Sequence, residues 1–328
     1  MPFFGFLMGG EWFAKDDFVN LSHRRYTARC VLKQGLWQEC FPMGTDNFSM
    51  ATSDVRYLLF DIESIADGNL IAKTRYAGEK LDAEVAIRRF RQDLMLESGR
   101  DFIPYTYHLP IAVVVAKIDS DLKLREIVSL DQPNHRPAVI TKHFWTGWEK
   151  YGHPTFVTFN GRSFDLPLME LSAFRFGVSV PTWFHASERS YQQFRNRYNV
   201  QAHIDLHEML TNFGSTWFRG GLNLAASLLG KPGKMDIQGD MVQDLYQAGK
   251  VVEINEYCRC DVLDTYFVFL RWNLLCGKIS LDQEQDLVAH VKAMLEEESH
   301  VHPAYKTYLE RWGDWSNPWQ KDPSPNPS

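Results

Sequence analysis

Cysteine is scarce in this chain: 328 residues contain five, at no regular spacing. Small domains that depend on disulfide bonds have many closely spaced cysteines, so this sequence does not predict a disulfide framework. We therefore expect reduced thiols and a cytoplasmic location.

Long apolar runs are also missing. The longest, Ile111 to Ala116, has the length of a strand, whereas a helix that crosses a bilayer needs about 20 apolar residues. The opening run, Phe3 to Met8, is soon interrupted by Glu11 and follows no basic leader, which is unlike a secretory signal. The sequence predicts no membrane partner.

Positive charge is not in excess, since the formal net charge is −6. This balance argues against indiscriminate coating of a polyanion, although a local basic patch can still bind nucleic acid. With 45% hydrophobic residues the chain can bury a large core, as an ordinary soluble enzyme does. Its length permits one large domain or two.

Three short motifs contain the residues with the clearest chemistry. Asp61 and Glu63 follow the apolar run Tyr57 to Phe60, which predicts a buried strand. Because side chains alternate along a strand, both carboxylates point to one face. An isolated Asp-x-Glu is more often a pair of ordinary strand-end charges, so the other two motifs decide its meaning.

The second motif runs from Asn160 to Asp165 and follows a predicted strand, Thr155 to Phe159. A helix is predicted from Leu166 to Phe176, with Asp165 at its start, where unpaired backbone amides favour an anion. Helix capping alone is the alternative role of Asp165.

The third motif lies in a helical pattern from Val251 to Cys276. Positions four apart share a helix face, so Tyr257 and Asp261 project side by side. Packing in a helix interface is the alternative role of Tyr257.

Four carboxylates brought together would repel one another unless hard cations neutralised them, and oxygen ligands suit Mg²⁺ or Mn²⁺. The motifs together predict a two-metal centre for phosphoryl transfer.

The order Asp-x-Glu, Asn-x-x-x-Phe-Asp, Tyr-x-x-x-Asp resembles the three motifs of the DnaQ-like (DEDD) 3′-5′ exonucleases, in the branch with tyrosine in the third motif. Position 256 is a glutamate and not a histidine, so the branch with histidine in the third motif is not matched. From Tyr57 to about Leu275 the sequence is similar to the predicted exonucleases related to the proofreading domain of family B DNA polymerases. The segments that carry this similarity further are Phe102-Ile103-Pro104, His203-Ile204-Asp205-Leu206 and Leu229-Gly230-Lys231-Pro232-Gly233-Lys234-Met235-Asp236.

The resemblance implies an α/β fold, a ribonuclease H-like mixed sheet flanked by helices. The strand patterns Leu109 to Ile118 and Leu122 to Leu130, separated by turn residues, agree with it because they predict a hairpin. A helix over Val139 to Tyr151 and a short strand over His203 to Leu206 complete the alternation of strands and helices.

The resemblance also implies an activity: hydrolysis of phosphodiesters from the 3′ end of a single-stranded nucleic acid, with DNA favoured over RNA. Two divalent cations, Mg²⁺ or Mn²⁺, would be the cofactors, with Asp61 between them. The implied metal ligands are Asp61, Glu63, Asp165 and Asp261, Tyr257 would orient the attacking water, and Asn160 and Phe164 would contact the terminal nucleotide. An RNA exonuclease and an inactive nucleic-acid-binding module are the alternatives.

Other residues receive structural interpretations. Asp205 is predicted to cap the following helix, with a catalytic role left open, and Asp264 is interpreted as a surface or capping charge. Cys258 and Cys260 diverge on a helix, which favours buried thiols over a metal pair. Arg88, Arg89 and Arg91 form either a solvated helix face or a guide for the strand. The Gly-Lys-Pro-Gly-Lys segment at 230–234 is either a turn or a phosphate contact.

Three regions are expected. Residues 51–312 form the exonuclease domain, preceded by a poorly ordered extension over residues 1–50 without a sustained period. Met50 is a second candidate start, so whether residues 1–49 belong to the native protein is left open. The final residues, 313–328, are rich in proline and serine and cannot bury apolar surface, which predicts a disordered tail.

Overall fold

The structure is a computed structural model that describes residues 54–186, 189–233 and 241–319. The predicted extension, 1–50, lies outside the described residues, as do 234–236 of the glycine-rich segment and 320–328 of the predicted tail. The strands are β1 Tyr57–Ala66, β2 His108–Ile118, β3 Leu124–Ser129, β4 Thr155–Thr158 and β5 His203–Asp205. The helices are α1 Gly68–Arg75, α2 Ala83–Ser98, α3 Pro137–Lys150, α4 Asp165–Phe176, α5 Pro181–Phe184, α6 Leu206–Leu210, α7 Gly221–Ser227, α8 Val242–Gln247, α9 Val251–Leu275, α10 Leu281–Glu298 and α11 Pro303–Glu310.

The five strands form one mixed sheet in the order β3-β2-β1-β4-β5. Strand β1 pairs antiparallel with β2 and parallel with β4, and β4 pairs parallel with β5. The predicted hairpin is therefore β2 and β3, which pair antiparallel. This order and these orientations, with helices against the sheet, confirm the predicted ribonuclease H-like α/β class.

Side-chain alternation along β1 divides the core between the two faces of the sheet. Leu59 belongs to the cluster on the face that α9 covers, together with side chains of α10 and α11. Phe60 and Ile62 belong to the cluster on the opposite face, which α3 and α4 cover with Trp145, Trp148 and other large side chains. The alternation thus sends Asp61 and Glu63 toward α9.

Helix α9 is long and apolar on nearly all sides, because it lies between the sheet and the two helices that follow it. Helix α10 begins with a reciprocal cap in which Ser280 and Gln283 bond each other's backbone amides. Helix α11 returns along α9. Between α9 and α10, Gly277 has a positive φ of 68°, a backbone conformation that ends α9.

Asp264 is buried, so its interpretation as a surface or capping charge is wrong. Its side chain is fully buried, and the Tyr308 hydroxyl donates a hydrogen bond to it at 2.5 Å. Burial raises the pKa of Asp264 to about 7, although the hydrogen bond and the nearby Lys231 oppose the rise. The error arose because the partner on α11 is 44 residues away in the chain, beyond any local pattern.

The segment at 230–234 was predicted to be either a turn or a phosphate contact, and Lys231 distinguishes the two for the residues that the structure describes. Its ammonium lies 3.9 Å from the ring centroid of Trp312, and the residue is buried. The neighbouring Gly230 accepts a backbone hydrogen bond from Gly313 at 2.8 Å. This turn is a structural contact with the chain after α11, as the turn alternative predicted.

The connection between β1 and β2 contains α1 and α2, which pack on each other through a small cluster of their own. Arg88 forms an ion pair with Glu84, and Arg89 pairs with Glu79. These two pairs favour the solvated-face interpretation of both arginines. Arg91 differs, because it lies near His108: burial lowers the pKa of that imidazole to about 4, and the charge of Arg91 contributes to the lowering.

In the part of the chain that the structure describes, no helix combines the length and apolar character that crossing a membrane requires.

Candidate active site

Strand β1 and helix α9 bring three carboxylates together. Oxygen atoms of Asp61, Glu63 and Asp261 all lie within 4.8 Å of one another, and each residue is half-buried. The two acids of β1 are two residues apart on one face, as predicted, and a bulge follows Glu63. Asp261 reaches them because α9 crosses that face of the sheet.

Tyr257 lies one helical turn before Asp261 and is buried. Its hydroxyl hydrogen-bonds to the Asp261 carboxylate. Burial raises the pKa of Tyr257, and the charges of Asp261, Glu63 and Asp61 raise it further. The phenol therefore keeps its proton at neutral pH and serves as a hydrogen-bond donor, not as a base.

Asp165 begins α4 and is buried beside this group, although it is not one of the three residues within 4.8 Å. Its proximity is evident in its electrostatics: burial and the charges of Asp61 and Asp205 raise its pKa well above the usual range. Asp165 thus borders the cluster from the opposite layer of the fold.

Gly161 makes room for Asp165. A Cβ at this position would lie 2.8 Å from Oδ2 of Asp165 and 2.6 Å from Cβ of Thr158. The preceding Asn160 has a positive φ of 64°, which turns the chain sharply after β4. Asn160 is exposed, and its side-chain oxygen accepts a hydrogen bond from the Ser163 hydroxyl at 3.0 Å.

Asp205 fixes the loop from Asn160 to Asp165. Its carboxylate accepts hydrogen bonds from the backbone amides of Asn160 and Arg162, each at 2.9 Å. It also accepts from His207 at the start of α6, so the predicted capping role is confirmed. One buried carboxylate therefore ties β5, α6 and the second motif together.

Phe164 lies in a group of aromatic rings next to the carboxylates. Its ring centroid is 5.9 Å from that of Phe102 and 5.6 Å from that of His108. His108 also hydrogen-bonds the Ser64 hydroxyl at 2.9 Å, and Ser64 follows Glu63. Phe102 is 63% exposed, so the group presents an open aromatic face close to the acids.

The cluster carries unfavourable electrostatics. Burial raises the pKa of Asp61 to about 6, despite a hydrogen bond from the Cys258 thiol. Burial, with the charges of Asp61, Asp261 and Asp165, raises the pKa of Glu63 well above its usual range. Like charges held close together in a partly dry site favour either protonation or a bound cation.

The donor set fits hard divalent cations. Every ligand in the group is a carboxylate oxygen, and Mg²⁺ and Mn²⁺ prefer oxygen ligands. Cys258 adjoins Asp61, yet its thiol donates to that residue and burial raises its pKa, which keeps it protonated. Cys258 and Cys260 are buried thiols, as predicted.

Three contributors to this geometry were not assigned from the sequence: Gly161, the amide-binding role of Asp205 and the contact of Cys258 with Asp61. A glycine inside the second motif was the one available signal for the first. The other two depend on contacts between segments 43 and 197 residues apart.

Residues 100–312 match the family described as a predicted 3′-5′ exonuclease related to the exonuclease domain of PolB. The matched segment contains Asp165, Tyr257 and Asp261 and begins after Asp61 and Glu63. No curated protein matches the chain.

Among solved structures, the chain is similar to the family B DNA polymerase from the hyperthermophilic archaeon Pyrobaculum calidifontis. The TM-score is 0.42 and the sequence identity 16%; the similarity covers 76% of this chain and 29% of the polymerase. The match therefore takes in less than a third of the polymerase's length.

The fold and the site define a class: α/β proteins in which a mixed sheet and a crossing helix gather a cluster of carboxylates. The family match extends over more than half of the chain, and the chain belongs to that family, the predicted 3′-5′ exonucleases related to the exonuclease domain of PolB. These are phosphodiester hydrolases.

Proposed function

We propose that the chain hydrolyses phosphodiesters one at a time from the 3′ end of a single-stranded nucleic acid, with DNA as the preferred substrate, in a reaction that depends on two divalent cations. The observation that carries the proposal is the convergence of Asp61, Glu63 and Asp261. Asp165 borders the same group. All four acids belong to the three motifs that the sequence resemblance assigns to catalysis.

In this proposal Asp61, Glu63, Asp165 and Asp261 hold the cations. When bound, Mg²⁺ or Mn²⁺ would lower the pKa of an attacking water and stabilise the charge that develops on the leaving 3′ oxygen. Binding of the cations also relieves the repulsion between carboxylates that, together with burial, raises the pKa of Glu63 and Asp165.

Tyr257 positions the attacking water by accepting one hydrogen bond from it at the hydroxyl oxygen, because the phenol proton is donated to Asp261. Its raised pKa excludes it as the base at neutral pH. The hydrogen bond to Asp261 holds the ring in place. The phenol therefore contributes orientation, and ionisation of the water depends on the cations.

The terminal nucleotide would lie against the aromatic group of Phe164, Phe102 and His108. Stacking on such rings tolerates any base, which suits an enzyme that removes nucleotides in succession. Asn160, exposed at the turn after β4, would contact the same nucleotide. The preference for DNA is a proposal from the family relationship, and residues 51–312 are the proposed catalytic domain. A cytoplasmic location stays a prediction from cysteine usage.

The test uses the purified full-length chain and two oligonucleotides of the same sequence, one DNA and one RNA, labelled at the 5′ end. We expect a ladder that shortens from the 3′ end with Mg²⁺ or Mn²⁺, faster on DNA, and no cleavage in EDTA. The matched control is Asp61→Asn, which should be inactive. Faster digestion of RNA would reassign the substrate, and cleavage by Asp61→Asn at the normal rate would refute the site.

A further inference from the structure

Aromatic side chains lie exposed on a second surface beyond the second motif. Trp217 is 93% exposed and Tyr198 is 64% exposed. The Tyr198 ring packs edge-on against Phe213, with 5.0 Å between centroids. We name Tyr198, Phe213, Trp217 and Arg219 the outer aromatic surface.

The loop that presents Trp217 is held by its own hydrogen bonds. The Thr211 carbonyl accepts from the Thr216 amide at 3.2 Å, and the Thr211 hydroxyl accepts from the Gly214 amide at 3.1 Å. Asn212 and Phe213 both have positive φ angles, 49° and 55°. Two consecutive residues in the left-handed backbone conformation cost conformational energy. The sequence therefore specifies this turn, which projects its aromatic side chains outward.

A ring contact joins this loop to the second motif. Phe218, next to Trp217, packs against Phe159, with 6.2 Å between ring centroids. Phe159 directly precedes Asn160, the first residue of the second motif. This contact places the loop that contains Trp217 next to the end of β4, where the second motif begins.

Arginine side chains lie at the outer aromatic surface despite the acidity of the whole chain. The guanidinium groups of Arg162 and Arg197 both form ion pairs with Glu208. The Arg197 guanidinium also lies over the Tyr198 ring, 5.7 Å from its centroid. Arg219 is exposed and forms no ion pair among the described residues.

We propose that the outer aromatic surface binds the single strand on the 5′ side of the terminal nucleotide, with bases stacked on Trp217 and Tyr198 and a phosphate at Arg219. The proposal rests on the proposed function. Exposed aromatic rings combined with cations are the features by which proteins bind single strands without reading sequence. The acidic cluster alone would repel a polyanion, and the exposed Arg219 supplies a positive charge that attracts a phosphate.

The first test measures the dependence on strand length. Thymidine 5′-(p-nitrophenyl phosphate) reaches only the terminal position, whereas an oligothymidylate of twelve nucleotides extends onto the outer aromatic surface. In Trp217→Ala the ratio of kcat/KM for the oligonucleotide to that for the small ester should fall about 5- to 100-fold, the range for loss of one stacked base. Trp217→Phe should recover most of the ratio.

Matched control variants separate the fall in this ratio from the general consequences of removing an exposed side chain. Phe174→Ala removes an aromatic residue that is 86% exposed near the end of α4 remote from Asp165, and the ratio should stay at the wild-type value. For the cation, Arg219→Gln should reduce the slope of log affinity against log salt by about 0.7, the value for one phosphate of a single strand. Lys278→Gln, beside the amino ends of β1 and β4, should leave the slope unchanged.

Binding to the oligonucleotide is also measured without turnover, by fluorescence anisotropy in an Asp61→Asn background. A weaker affinity in Trp217→Ala supports the proposal even if the wild-type chain cleaves neither substrate, an outcome that would refute the proposed function alone. An affinity and a kcat/KM ratio equal to those of Phe174→Ala overturn the outer aromatic surface and leave the proposed function standing.

Discussion

The Cys258 thiol lies 3.3 Å from the backbone carbonyl oxygen of Asp61 and 3.4 Å from its carboxylate. This contact joins the helix of the third motif to the strand of the first. A buried S–H group is a weak donor, and both acceptors within its reach belong to Asp61, one of the proposed metal ligands.

Removal of this thiol should weaken cation binding. In Cys258→Ala the Asp61 carboxylate loses a donor that lowers its pKa, so its proton competes better with the cation. We expect the Mg²⁺ concentration for half-maximal activity to rise several-fold and the free energy of unfolding to fall by about 1 kcal/mol. A metal titration measures the first effect. Cys276→Ala, at an exposed thiol, is the control, and equal shifts in both variants would contradict the prediction.

Asp61→Asn should abolish cleavage without weakening the fold. The change removes a negative charge from a cluster in which like charges raise the pKa of Glu63, so metal-free stability should be equal to or above that of the wild type. Added Mg²⁺ should raise the melting temperature of the wild type but not of the variant. Asp121→Asn, on an exposed turn, controls for the change of charge, and a destabilised Asp61→Asn would refute the electrostatic account.

Tyr257→Phe tests orientation of the water. The ring still packs in α9, so stability, metal binding and KM should change little, while kcat should fall about 10- to 1000-fold. Single-turnover rates with saturating Mg²⁺, and again with Mn²⁺, provide the measurement. If kcat is near normal, Tyr257 is a packing residue and the third motif contributes only Asp261.

Gly161→Ala should displace Asp165 by steric contact. The added methyl group would lie 2.8 Å from the Asp165 carboxylate and 2.6 Å from the Thr158 side chain. Overpacking of this kind costs about 1–3 kcal/mol, and kcat should fall with it. Gly147→Ala is a matched control, because that glycine lies in α3 with no atom within 4 Å of the new methyl group. An active and fully stable Gly161→Ala would show that Asp165 has room to move.

Asp264 should make stability depend on pH. Burial raises its pKa from 3.8 to about 7, so between these values the folded state keeps a proton that the unfolded state has lost. Stability from this residue is therefore present below pH 4 and lost as the pH rises toward 7. Asp264→Asn, which still accepts from Tyr308, should become more stable relative to the wild type across this range. Chemical denaturation at pH 5 and pH 7.5 measures the difference, and a constant difference would contradict the assignment.

Much of the secondary structure could be predicted from local periodicity. The alternation in Tyr57–Glu63 placed both acids on one face, and the four-residue spacing placed Tyr257 beside Asp261; the structure brings Asp61, Glu63 and Asp261 together. Such patterns are short-range, because they depend on two dihedral angles per residue. Their success explains why the three motifs were found on the predicted strand, helix start and helix.

Burial of charged residues could not be predicted in the same way. Asp205 and Asp264 each stand in unremarkable local sequence, and their environments come from partners 43 to 45 residues away in the chain. A helical pattern does not show whether a charge faces water or another helix. Arg88 is different, since its partner Glu84 lies one turn earlier on α2, and that ion pair favours the solvated-face interpretation.

The contact between Gly230 and Gly313 affects where the chain can be shortened. The last motif residue is Asp261, which would suggest that a fragment ending after α9 is sufficient. Such a fragment would expose the buried Asp264 carboxylate and remove Trp312 from the ammonium of Lys231. We therefore expect a stable fragment to retain α10, α11 and Trp312, up to the end of the proposed catalytic domain. Proteolysis in the turn between α10 and α11 should inactivate the enzyme although the cut lies far from the carboxylates in the chain.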